Sequence, residues 1–213
     1  MRKVFQAELH QVGEELIQIA TLVKQALVRA SESFLNADID EAEEVISNDA
    51  RIDFLQTQLD ERSIDILALQ GPVASDLRHI VAALRMSSSL ERMGDLARHI
   101  AQIARMRFPE KALPENISPL FEEMVALDLK IIDAVIKLLD SKDLSYAEEI
   151  ATQKARLNEL HREVFKTLNS EDWTYNAQVT VDVTLASRYL ERFGDHGVSV
   201  ARKETYLVTG EWT

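Results

Sequence analysis

Leu90-Glu91-Arg92-Met93-Gly94-Asp95 returns one hundred residues later as Leu190-Glu191-Arg192-Phe193-Gly194-Asp195, with Ser87 and Ala101 answered by Ser187 and Ala201 at the same offset. A second echo lies upstream. Ala42-Glu43-Glu44 matches Ala147-Glu148-Glu149, and Ala50-Arg51-Ile52 matches Ala155-Arg156-Leu157, at an offset of 105. Two matches in the same order and at nearly the same spacing argue that the chain is one unit written twice. General amphipathicity would explain matching apolar stripes. It would not explain a Leu-Glu-Arg-x-Gly-Asp string appearing in both halves.

The repeated string has helical period. Ala83, Met86, Leu90, Met93, Ala97 and Ile100 recur at steps of three and four, as do Val183, Ala186, Leu190, Phe193, Gly197 and Val200. Each set is one apolar face of a helix. Working outward, Phe5, Leu9, Val12, Leu16, Ile19, Val23 and Ala26 predict a first helix from about Lys3 to Asn36. Asp38 or Asp40 can cap the second, which carries Val45, Ile52, Leu55, Leu59 and Ile66 and runs to Leu69. Gly71-Pro72 stops it, and the third is expected from Pro72 to Phe108. Pro109 to Pro119 is the linker. A fourth helix then runs to Leu139. The turn Asp140-Ser141-Lys142-Asp143 leads to a fifth ending near Asn169, and Ser170-Glu171-Asp172-Trp173 leads to a sixth ending at Gly210. Trp173 and Trp212 are expected to lock the last turn and the C-terminus. The predicted fold is all-α: two tandem three-helix bundles related by internal duplication, residues 1–109 and 110–213.

Composition agrees. The 213 residues are 46% hydrophobic but only 6% aromatic, with 6 Gly and 4 Pro, too few breakers for a sandwich or barrel. With 24 basic and 36 acidic residues the net charge is −12, and no basic stripe stands out, so nucleic-acid and anionic membrane partners are disfavoured. Absence of Cys removes disulfides, thiolate zinc sites and Cys nucleophiles. The early acids of Glu8 and its neighbours do not suit a signal peptide, and no apolar run approaches a membrane span, so a cytoplasmic chain without membrane insertion is expected.

The carboxylates carry the chemistry. Glu91 and Asp95, and again Glu191 and Asp195, stand one residue past the apolar stripe at i, i+4, which stacks each pair on one face. Asp49 and Asp53 repeat the spacing on the second helix. If the second and third helices are antiparallel neighbours, four carboxylates converge, and such a cluster calls for cations: Arg or Lys, or a metal that prefers oxygen ligands. Gly94 and Gly194 beside the carboxylates imply close approach of another helix or an ion, since a helical Gly costs about 1 kcal/mol against Ala. A solvated acidic face with local pairs such as Asp95 to Arg98 and His99 is the plainer alternative. No His-Glu-x-x-His, phosphate-binding loop or nucleophile elbow is present.

Leu69-Gln70-Gly71-Pro72-Val73-Ala74-Ser75-Asp76-Leu77-Arg78, followed by Leu90 to Asp95 and by Arg188-Tyr189-Leu190-Glu191-Arg192-Phe193-Gly194-Asp195-His196, resembles the PhoU family over essentially the whole chain, with Val181-Asp182-Val183-Thr184-Leu185 and Tyr206-Leu207-Val208-Thr209-Gly210 closest to its actinobacterial branch. The resemblance implies a negative regulator of phosphate uptake and of the phosphate-starvation response. Such a protein is a non-enzymatic homodimeric adaptor between the phosphate ABC transporter and a two-component sensor histidine kinase. It also implies multinuclear iron or zinc on Glu/Asp-x-x-x-Asp motifs, at positions that match Asp49, Asp53, Glu91 and Asp95 in the first half and Glu191 and Asp195 in the second. The second half departs from the pattern: Asp49 corresponds to Lys154 and Asp53 to Asn158, so a second metal site would be weaker, built differently from Glu159, His161 or Asp182, or absent. Two rivals stand beside this reading. One is an enzyme with a dinuclear carboxylate site for redox or hydrolytic chemistry, which would call for a Glu-x-x-His spacing that is missing. The other is a metal-free helical scaffold.

Overall fold

The computed structural model describes residues 2–211, with side chains from residue 5 onward; Trp212 therefore lies outside the described residues. Six helices follow in order: α1 (Arg2–Asn36), α2 (Ile39–Gln70), α3 (Ser75–Arg107), α4 (Ser118–Ser141), α5 (Ser145–Leu168) and α6 (Ala177–Thr209). The first three pack on one another, as do the last three, and the two bundles meet along α3 with α6 and α1 with α4. The stripes on α3 and α6 are buried throughout, and every bundle contributes to one continuous apolar core.

Helix ends follow from the chemistry of the breaks. Asp38 caps α2, its Oδ1 accepting from the amides of Asp40 and Glu41 at 3.1 and 3.2 Å. Gly71 ends the same helix in the left-handed region, φ 54°. The expectation that α3 starts at Pro72 is corrected by three residues. Ala74 also takes a positive φ, 50°, which no helix accommodates, so the helix opens at Ser75. At the other end Asn176 caps α6 by accepting from Val179 N. Trp173 fastens the preceding turn, its indole N–H donating to Thr180 Oγ1 at 2.8 Å.

Residue pairs across the α3–α6 seam show its direction. Arg107 meets Asp182, His99 lies 5.0 Å from the Tyr189 ring, and Arg78 lies over Tyr206. Numbers rise along α3 as they fall along α6, so the duplicated helices run antiparallel and their repeated strings lie mid-seam. A Cβ at Gly197 would collide with Ile131 of α4 and come within 3.9 Å of Met93 of α3. Phe34 of α1 and Phe121 of α4, both buried, add an aromatic pair at 5.8 Å.

Candidate functional site

In the first bundle, Asp49 of α2 and Glu91 and Asp95 of α3 share one half-buried patch, with Asp53 exposed at its rim. Arg98, one turn beyond Asp95, bridges the two helices: its Nη2 donates to Asp95 Oδ1 at 2.6 Å and its Nε lies 2.5 Å from Asp49 Oδ2. Arg92 reaches Asp95 Oδ2 at 2.8 Å and Glu91 Oε2 at 3.4 Å. The electrostatics are divided. Burial raises the Asp49 carboxyl against the pull of Arg98, and Asp53 and Asp95 add repulsion. Burial and the neighbouring Asp95 likewise raise Glu91. Asp95 is also pushed upward by burial, but its bond to Arg98 and the Arg98 and Arg92 charges bring it below the usual carboxylate range.

The second bundle solves the same problem with a different cation. Lys154 of α5 is 6% exposed and points between Glu191 and Asp195 of α6. Its ammonium donates to the Glu191 carbonyl at 2.6 Å and to Glu191 Oε1 at 3.0 Å, and lies 2.9 Å from Asp195 Oδ1. Arg188 takes the other Glu191 oxygen at 2.6 Å. Asp128 of α4 faces this group from the core. It is fully buried, neither carboxylate oxygen has a hydrogen-bond partner, and burial raises its carboxyl well above the ordinary value while Lys154 pulls the other way.

All six carboxylates expected from the spacing therefore lie in two patches, Asp49, Asp53, Glu91 and Asp95 in one and Glu191 and Asp195 in the other, each threaded by a basic side chain. Among the described residues no three His, Asp or Glu side chains are gathered in an arrangement that could hold a metal ion. In the first patch the donor chemistry fits an oxygen-preferring cation, which would have to displace Arg98. In the second the fit fails while Lys154 is protonated between the carboxylates. The suggested substitutes are engaged elsewhere: Glu159 with Arg156, His161 with Ser187 Oγ at 2.7 Å, and Asp182 with Arg107 in the other bundle. The glycine question is answered by helix packing. A Cβ at Gly94 would sit 2.9 Å from Ile52 Cδ1, and one at Gly194 would sit 2.7 Å from Leu157 Cδ2.

Asp128 was not among the expected site residues, yet its signal is present. Phe121, Met124, Asp128, Ile131, Val135 and Leu138 form one stripe at steps of three and four, and Asp128 is its polar member. Lys154 does the same in Ile150, Lys154, Leu157, His161 and Val164.

The PhoU domain model matches residues 16–104 and 121–203, one segment in each bundle. The chain is 39% identical over 210 residues to the phosphate-specific transport system accessory protein PhoU homolog 2 of Mycobacterium tuberculosis, covering 99% of both chains. It is 36% identical to PhoU homolog 1 of Mycobacterium leprae, covering 100% of this chain and 96% of that one. Its structure resembles the crystal structure of PhoU from Pseudomonas aeruginosa, with a TM-score of 0.88 at 27% identity, covering 97% of this chain and all of that one. No helix of the described residues is long and apolar enough to cross a membrane. The duplicated string, the paired bundles and these full-length likenesses converge on one conclusion: the chain belongs to the PhoU domain family.

Proposed function

We propose that this protein is an accessory regulator of phosphate uptake that represses the phosphate-starvation response when phosphate is plentiful. The observation that carries this reading is the likeness over 99% of both chains to a phosphate-specific transport system accessory protein. In this reading the chain is a cytoplasmic homodimer that contacts the phosphate ABC transporter and a sensor histidine kinase and passes the state of one to the other. It acts by binding rather than turnover. Neither patch presents a nucleophile paired with a base, and its charged groups are engaged with one another. Asp49, Asp53, Glu91 and Asp95 would hold a metal such as iron or zinc on displacement of Arg98, and Lys154 makes Glu191 and Asp195 poor ligands.

The test is genetic. Deleting the gene should leave phosphate-starvation genes expressed in high phosphate, and re-expression should silence them. Normal repression in the deletion strain would refute the regulatory reading.

A further inference from the structure

At one end of the α3–α6 seam a shallow groove of about 240 Å³ is lined by Leu77, Arg78, Val81, Arg85, Lys203 and Tyr206. Its charge is unlike the rest of the molecule. The chain carries −12 overall, yet this groove gathers Arg78, Arg85 and Lys203, none of which makes an ion pair among the described residues. Lys203 spends two of its three ammonium donors on Ser199, on the carbonyl at 3.0 Å and on Oγ at 2.5 Å. Burial and the Arg85 charge both press its pKa downward, a cost that an incoming anion would relieve. The floor is apolar and open, with Leu77 40% and Val81 38% exposed. An apolar strip rimmed by three unneutralised cations is a combination that solvent alone does not favour.

We infer that this groove is a docking site for an acidic segment of a partner protein, one that sets an apolar side chain between Leu77 and Val81 and carboxylates against Arg78, Arg85 and Lys203. Charge complementarity selects this occupant. A second copy placed symmetrically here would oppose the three cations with the same three. A nucleic acid would have to extend past the groove over a strongly negative surface. The inference rests on the groove itself and stands whether or not the regulatory reading holds.

The probe is a short labelled helical peptide with Glu at i, i+4 and i+7 around a Leu, titrated with the full-length chain by fluorescence anisotropy. Saturable binding is expected. R85E or R78E should weaken it about tenfold or more, about 1.4 kcal/mol or more per charge. Leu77→Ser should weaken it as well, added salt should weaken it further, and K130E on the exposed face of α4 should not. Circular dichroism would show that each variant is folded. Absence of saturable binding, equal loss with K130E, or undiminished binding of a Gln-for-Glu peptide would overturn the inference. So would sedimentation showing that R85E dissociates a self-associated chain, since the occupant would then be a second copy.

Discussion

Lys154 holds Glu191 twice, through the backbone carbonyl at 2.6 Å and the carboxylate at 3.0 Å, and so ties α5 to α6 at the point where the duplicated string sits. The ammonium is buried, so removing it strands a charge in low dielectric. K154M should lower the unfolding free energy by about 3 kcal/mol, the low end for breaking a buried pair, because Arg188 keeps one Glu191 oxygen. Replacing both partners, K154M with E191L, should recover part of that loss. Urea unfolding of the three proteins checks it, and a double variant no more stable than K154M would show that the pair is not what matters.

Arg98 bridges Asp49 and Asp95 in the first patch. In chelator, R98M should unfold at a lower temperature than the wild type, because Asp49 then loses its cation and Asp95 keeps only Arg92. Added Mn²⁺ or Zn²⁺ should raise the melting temperature of R98M more than that of the wild type. If divalent ions move neither protein, the metal proposal for Asp49, Asp53, Glu91 and Asp95 fails.

Asp128 should give stability a pH slope. Its pKa in the folded chain is raised by burial above the unfolded value, so between the two the folded state holds the extra proton. That contribution is fully present below the unfolded value and is lost as pH rises through the folded one. Asp128→Asn removes the carboxyl without changing its shape. The variant should gain on the wild type as pH rises from 5 to 8, measured by urea unfolding. A constant difference across that range would show that Asp128 does not titrate there. Asp49 and Glu91 shift in the same direction but are common to both proteins and cancel in the difference.

The three close-packed helical glycines should not respond alike to alanine. At Gly94 the new methyl meets Ile52 alone, tightly only at its terminal Cδ1, and the gain in helix propensity of about 1 kcal/mol should leave stability nearly unchanged. At Gly194 it meets Leu157 at 2.7 Å, Lys154 at 3.1 Å and Ile131 at 3.3 Å, so Gly194→Ala should cost about 1–3 kcal/mol through overpacking. Gly197→Ala, driven into Ile131, should cost as much. Thermal unfolding ranks the three, and equal effects at 94 and 194 would contradict the packing account.

The helices were legible because four amphipathic stripes and a duplicated string are periodic signals, because turn residues such as Asp140 to Asp143 delimit the other two helices, and because Asp38 and Gly71 obey local capping rules. The start of α3 was not, since nothing in Pro72-Val73-Ala74 announces that Ala74 takes a positive φ. The carboxylate patches could be placed by i, i+4 spacing, but their cations could not all be assigned that way. Arg98 is near Asp95 in sequence, while its contact with Asp49 depends on how α2 and α3 are set against each other. Asp128 and Lys154 interrupt apolar stripes, a pattern that marks buried polar groups, yet which helix they face is a property of the tertiary fold.

The antiparallel α3–α6 seam makes this single chain resemble a pair of subunits joined end to end. Two identical subunits must accept every substitution twice, so a lysine introduced into one would appear in both. Fusion lifts that constraint. One unit can draw its balancing charge from its third helix, as with Arg98, and the other from its fifth, as with Lys154. The halves keep a common shape while balancing their carboxylates with different basic side chains.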